Sequence, residues 1–287
     1  MPLDPLANAD LVVQASQLAN EDLHLLQALT GASEVVPLDR AQCAAFRLVA
    51  PQTVEGIADA LATADCDWAL VPRARRLERL RLVALDMDST LITIECIDEI
   101  AGMRGIKSEV AAITSAAMRG EIDFRESLVR RVALLEGLPV NALQRVFDER
   151  LRLSPGAAHL FDSLRARGVR TLLASGGFTF FTDRLQAGLR IDWAVANQLE
   201  MVAGGLTGRV TGDIVDAAAK AALISKLADQ LRGDDGLVAV IGDGANDLPM
   251  FSMADISVAW RAKPTTRAQA THTIDHCGLD ALLNLFA

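Results

Sequence analysis

The sequence predicts an α/β fold: a doubly wound, Rossmann-like sheet with a helical insertion, preceded by a small ferredoxin-like α+β unit. Three observations predict it. Two strand-length stretches, 81–85 and 237–241, apolar from Leu82 and from Leu237, each stop at a cluster of acids. A strand buried on both faces reads as such a stretch, and ligands of open α/β sheets gather at strand carboxyl ends. Past Pro155, strand-length apolar runs alternate with amphipathic stretches of helical period. The first 80 residues follow the order β-α-β-β-α-β, that of the split βαβ unit.

In the N-terminal unit, 1–80, strands fall at 11–15, 35–38, 44–50 and 68–71. Leu23, Leu25, Leu26 and Leu29 stripe a helix over 21–29, which Gly31 ends. Thr53 is placed to cap a second helix, through Ile57, Ala60 and Leu61. Arg73, Arg75, Arg76, Arg79 and Arg81 follow, interleaved with Leu77, Glu78 and Leu80 and with no aromatic residue. That composition reads as a solvated linker rather than a nucleic-acid arm, and the second domain, 81–287, starts there.

Strand 81–85 leads into a region, about 95–151, with helical stripes at 109–118 and 127–135 and breaks at Gly120 and Gly137-Leu138-Pro139. With no strand of its own, it reads as a small bundle inserted in the sheet. Helix 157–167, strand 169–174, helix 179–187, a hairpin within 203–212 and helix 217–231 follow. Strands 237–241 and 256–259 and a final helix from Leu279 complete the chain.

Composition narrows the function. Of 287 residues, 51% are hydrophobic and 23% charged, which suits a globular protein with a sizeable core. The net charge of −9 disfavours nucleic acid and anionic membrane surfaces as partners. No run approaches the ~18 apolar residues of a membrane span, and the first residues lack the basic start of a secretory signal. Cys43, Cys66, Cys96 and Cys277 are scattered without a C-x-x-C pair, as expected of free thiols in a reducing cytoplasm.

The chemistry concentrates at strand ends. In Asp86-Met87-Asp88-Ser89-Thr90, period-two geometry sets Asp86 and Asp88 on one side of the strand. Two carboxylates so close ionise together only with a cation between them, or one keeps a proton. Gly242-Asp243-Gly244-Ala245-Asn246-Asp247 follows the second apolar strand, and its acids complete a set of oxygen ligands for a hard cation. Ser175-Gly176-Gly177 offers a hydroxyl and free amides ahead of a helix, a natural phosphate cradle. Read alone, Lys220 is a helix lysine, Met118 and Phe124 are core residues, and Arg131 is surface.

Taken in order, Asp86-x-Asp88-Ser89-Thr90, Ser175, Lys220 and Gly242-Asp243-Gly244-x-Asn246-Asp247 resemble the four motifs of the haloacid dehalogenase (HAD) superfamily of phosphotransferases. Glu95-x-Ile97-Asp98-Glu99, Met118, Phe124, Arg131 and Thr211-Gly212-Asp213 are similar to its phosphoserine phosphatase branch. The resemblance spans residue 82 to the C-terminus. The first unit is similar to the ACT-like regulatory extensions of some members.

The resemblance implies a HAD-like core with a helical cap and hydrolysis of O-phospho-L-serine, the last step of serine biosynthesis. It implies Asp86 as nucleophile and Asp88 as general acid and base. Mg²⁺ falls to Asp86, the Asp88 carbonyl and Asp243, supported by Asp247. Ser175, Gly176, Lys220 and Asn246 hold the phosphoryl group. Glu95 meets the substrate ammonium, Arg131 its carboxylate, and Met118 and Phe124 close an apolar lid. A homodimer through the N-terminal unit is the expected assembly. Two alternatives stay open on the same core: transfer to an acceptor such as homoserine, and a broader phosphomonoesterase. A sensing module without catalysis is disfavoured by the intact acids and lysine. The chain has no tyrosine, so any family role of a tyrosine is filled differently.

Overall fold

Two sheets organise the chain in the computed structural model, which describes residues 6–62 and 64–287. The first is built from β1 (Ala9–Ala15), α1 (Asn20–Thr30), β2 (Glu34–Leu38), β3 (Ala44–Val49), α2 (Ile57–Ala60) and β4 (Cys66–Pro72). Its strands lie in the order β2-β3-β1-β4, every pair antiparallel. Leu11 and Val13 of β1 pack with Leu26 of α1 and Ile57 of α2, whereas Val12 joins the main core on the other face, as a period of two requires. Gly31, at φ 65, ends α1. Thr53 does not cap α2. Its hydroxyl accepts from the Glu55 N–H at 3.0 Å, and Gly56, in the left-handed region, starts a helix of four residues.

The arginine-rich stretch is also not simply solvated. Arg73 pairs with buried Asp10 at 2.8 Å, Arg79 with Asp235 at 3.2 Å, and Arg75 contacts His272. An acidic protein supplies partners within itself.

The second sheet has seven strands. Its elements are β5 (Leu80–Leu85), α3 (Cys96–Arg104), α4 (Lys107–Met118), α5 (Phe124–Ala133), α6 (Asn141–Arg145), α7 (Ala157–Ala166), β6 (Arg170–Phe178), α8 (Thr179–Leu189), β7 (Trp193–Val202) and β8 (Gly205–Thr211), continuing through α9 (Ala217–Leu231), β9 (Leu237–Gly242), α10 (Leu248–Phe251), β10 (Ile256–Trp260), α11 (Pro264–Arg267) and β11 (His272–Ile274). The order is β11-β10-β9-β5-β6-β7-β8. All neighbours are parallel except β7 and β8, whose hairpin makes the sheet mixed. From β5 the chain winds one way to β6 and β7 and the other way through β9 to β11. The switch point therefore lies between β5 and β9, where open α/β sheets bind ligands.

Both faces are covered. Leu82 and Ala84 of β5 face α9 and α10, while Val83 and Leu85 join the larger core. Helices α3 to α6 fill the interval between β5 and β6, as the sequence predicts. The final segment departs from expectation: Leu279–Leu285 forms 3₁₀ turns with all seven residues buried. Packed against α7 and β1, it lacks the exposed face that an amphipathic α-helix keeps.

Candidate active site at the β5–β9 switch point

Strand pairing brings the first two motifs together. Leu85 stands opposite Ile241, and the Asp86 N–H donates to the Ile241 carbonyl at 3.0 Å. The loops leaving β5 and β9 thus start side by side, and their acids share one volume. Carboxylate oxygens of Asp86, Asp243 and Asp247 lie within 4.8 Å of one another. Lys220 reaches in from the first turn of α9, donating to Asp86 Oδ1 at 2.7 Å and Asp247 Oδ1 at 3.0 Å. Asn246 Nδ2 lies 3.1 Å from Asp247 Oδ1 and 3.5 Å from Asp86 Oδ2. Thr90 donates to Asp243 Oδ1 at 2.9 Å.

The electrostatics leave this cluster short of positive charge. Asp86, Lys220 and Asp247 are all buried. Burial and the neighbouring Asp86 carboxylate raise Asp247 to about 7 and also raise Asp243. Burial alone would lower Lys220, but Asp86 and Asp247 more than reverse it, so its ammonium persists. Three acids against one lysine leave a formal excess of two negative charges. Hard oxygen donors with that excess fit a divalent cation.

Asp88 is turned away from the cluster. Its Oδ1 accepts from the Cys96 N–H at 3.0 Å, and burial, then the Glu95 carboxylate, push its carboxyl up to about 8. Its other oxygen faces Gly177, where a Cβ would sit 2.8 Å from Oδ2. Only glycine permits that approach. Ser175 is buried, and its Oγ accepts from the Gly177 N–H at 2.9 Å.

Residues of the helical insertion form the rim. Glu95 accepts from the Ser89 hydroxyl at 2.7 Å and is raised by burial. Arg131, on α5, is lowered by burial, while Asp98, Glu95 and Asp88 act against that. Arg131 is half-buried rather than on open surface, and its Nε donates to the Ser127 carbonyl at 3.3 Å. The Phe124 ring covers Gly176, since a Cβ there would lie 3.0 Å from Phe124 Cζ. Met118 is different: at the end of α4 it is 68% exposed, so it closes nothing in this conformation. Helical spacing places it on the insertion without fixing which way the last turn of α4 faces.

Asn197 was not among the residues singled out from sequence. It is fully buried, donating to the Gly176 carbonyl at 2.8 Å and accepting from the Val215 N–H at 2.8 Å. A single asparagine between Ala196 and Gln198 carries no motif, and only the fold reveals its partners.

With acids at two strand ends, a lysine between them and a serine-glycine loop opposite, the chain belongs to the haloacid dehalogenase-like hydrolases, whose family matches residues 83–252. A HAD-family hydrolase from Salmonella enterica serovar Typhi is similar in fold, with TM-score 0.85 and 31% identity, covering 97% of this chain and 98% of its own. A phosphoserine phosphatase of a Polaromonas species is 51% identical over 215 residues, which cover 73% of this chain and 91% of the relative. The unliganded crystal structure of a probable phosphoserine phosphatase from Vibrio cholerae has TM-score 0.82 at 33% identity, covering 99% of this chain and 88% of that one. Within the superfamily, this chain falls among the phosphoserine phosphatases.

Proposed function

We propose that the protein hydrolyses O-phospho-L-serine to L-serine and inorganic phosphate, the last step of serine biosynthesis, with Mg²⁺ as its cation. The observation that carries the reading is the meeting of Asp86, Asp243 and Asp247 around Lys220 at the switch point. Asp86, Asp243 and Asp247 would hold the cation, joined by the Asp88 carbonyl. When bound, the cation supplies positive charge to the phosphoryl oxygens.

The residues then divide the work. Asp86 attacks phosphorus in line, and the bond from phosphorus to the serine oxygen breaks. Asp88, raised to about 8, holds a proton near neutral pH and delivers it to that leaving oxygen. Relieved of its proton, Asp88 takes one from water, which attacks the aspartyl-phosphate and releases phosphate. Ser175, the Gly176 N–H, Lys220 and Asn246 receive the phosphoryl oxygens, and Lys220 also holds Asp86 in place. Arg131 pairs with the substrate carboxylate and Glu95 with its ammonium. Phe124 shields the cradle, and Met118 joins it only if α4 turns.

The N-terminal unit is read as an ACT-like regulatory domain and the surface of a homodimer. The antiparallel strand order β2-β3-β1-β4, with α1 and α2 packed on one face, supports that reading. The cytoplasm is its proposed location, and no helix among the described residues is long and apolar enough to cross a membrane.

The test is phosphate release from a panel of phosphorylated metabolites, with Mg²⁺ and with a chelator. Phosphoserine should be preferred and chelation should abolish release. No release from phosphoserine with Mg²⁺ present would refute the reading, and acceptor-dependent product would favour phosphoryl transfer.

A further inference from the structure

We propose that Asn197 is a positioning residue that fixes the distance between the two halves of the phosphate cradle, the Ser175–Gly177 loop and the helix carrying Lys220. This rests on the reading above. Strands β6 and β7 pair regularly from Leu172 to Ala174, then the register shifts, and pairing resumes at Phe178 opposite Asn197. The interruption falls on Ser175, Gly176 and Gly177. A chain bent out of its ladder leaves backbone groups to be satisfied by other means.

The Asn197 side chain satisfies one of them and ties it to the backbone at Val215. Its Nδ2 donates to the Gly176 carbonyl at 2.8 Å and to the Val215 carbonyl at 3.3 Å. Its Oδ1 accepts from the Val215 N–H at 2.8 Å. Val215 directly precedes Asp216, which caps α9 by accepting from the Ala219 N–H at 2.9 Å. The Lys220 N–H in turn donates to the Asp216 carbonyl at 3.0 Å. One amide, shaped like a peptide group, therefore bridges the loop that bears Ser175 and the turn that bears Lys220. The position needs donor and acceptor together. Aspartate cannot donate when ionised, and glutamine is one methylene too long for a fully buried site.

Asn197→Asp is the sharpest variant. It keeps the shape and the acceptor for the Val215 N–H but turns a second oxygen toward two carbonyls. We expect kcat/KM for phosphoserine and the affinity for inorganic phosphate, read as a competitive inhibitor, to fall together by roughly 10- to 100-fold. Asn284→Ala is the control. Asn284 is fully buried and donates to Gln14 at 2.9 Å, at the contact of the final segment with β1. It should lower the melting temperature while leaving both kinetic constants within about twofold.

If Asn197→Asp behaves like the control, losing stability with kcat/KM and phosphate inhibition intact, the positioning role is overturned. Should Asn197→Asp fail to fold, Asn197→Ser, which keeps one hydroxyl, is measured in the same two assays with the same criterion. If the unmodified enzyme hydrolyses other phosphomonoesters but not phosphoserine, the substrate reading fails. The comparison run on p-nitrophenyl phosphate then still decides the role of Asn197.

Discussion

Two buried aspartates, each 5% exposed, show opposite uses of one residue. Asp67 lies at the contact between the first sheet and the segment after β11. It accepts from the N–H groups of Asp275 at 2.8 Å, His276 at 3.1 Å and Cys277 at 2.9 Å. Three backbone N–H groups compensate its burial, so it stabilises the junction. Asp86 meets Lys220, but two more carboxylates crowd the same volume. That cluster is compensated only in part, and the remainder is a standing demand for a cation and for a phosphoryl group. Equal burial thus serves stability in one place and chemistry in the other.

The sharpest way to break this comparison is Asp86→Asn. Phosphoserine hydrolysis should fall below detection, because an amide is a poor nucleophile. The metal-free protein should melt no lower, since one of several crowded charges is gone. Added Mg²⁺ should raise the melting temperature of the unmodified protein and far less that of the variant. Substantial activity in folded Asp86→Asn would refute the covalent route.

Gly177→Ala tests the close approach to Asp88. A methyl 2.8 Å from Oδ2 must push the carboxyl aside, and general acid–base catalysis contributes roughly 10²–10⁴-fold. We expect kcat to fall by about that range with KM little changed. An unchanged kcat would mean that Asp88 moves freely.

Arg131→Ala tests the rim. A charge-assisted hydrogen bond contributes about 1.5–3 kcal/mol, so kcat/KM for phosphoserine should drop by roughly 10- to 150-fold. Activity on p-nitrophenyl phosphate, which lacks the carboxylate, should change much less. Equal losses on both would place substrate selection elsewhere.

At the junction the expectations reverse. Asp67→Asn should lower stability by about 1.5–3 kcal/mol in denaturant melts and leave kcat alone. A large loss of kcat in Asp67→Asn would show that the two regions are not separable.

The smallest effect concerns pH. Burial, then the Arg75 guanidinium, lower His272 to about 3 from an ordinary 6.5. Between those values the unfolded chain binds a proton that the folded one refuses. This contribution to stability is therefore full above pH 6.5 and is lost as pH falls toward 3. From pH 7 to 5.5 the unfolding free energy of the unmodified protein should fall more steeply than that of His272→Gln. Parallel curves would refute the assignment.

Much of this was legible in the sequence, for physical reasons that differ by element. Strand β5 was readable because an apolar run stops abruptly at acids. Helix α9 was readable as 217–231, and the structure adds that Asp216 caps it and that Ile224 and Leu227 are buried. The acids were legible because they end apolar strands, whereas Lys220, a plain helix lysine when read alone, was singled out only through the resemblance. What escaped depends on tertiary surroundings. A threonine four residues before a helix caps it only if the intervening backbone turns, and at Thr53 it does not. Leu279–Leu285 reads as a helix by composition, but burial on all sides chooses the tighter winding. Strand β11, three residues long, is too short to show a period. Asn197 and Met118 are single side chains whose direction no spacing fixes.

The Asp67 junction also has a consequence for biogenesis. Its two sides are separated by 208 to 210 residues, and Gln14 from Asn284 by 270. At 5–20 residues per second, a ribosome needs roughly 10 to 50 s to make that interval. Throughout it, the face of the first sheet that bears Val12, Ala69 and Val71 has no cover from Leu282, Leu283 or Phe286, which join it in one core. A nascent chain arrested before residue 275 thus displays a wet apolar sheet, a natural target for chaperones and for degradation. Residues 275–286 bring that cover.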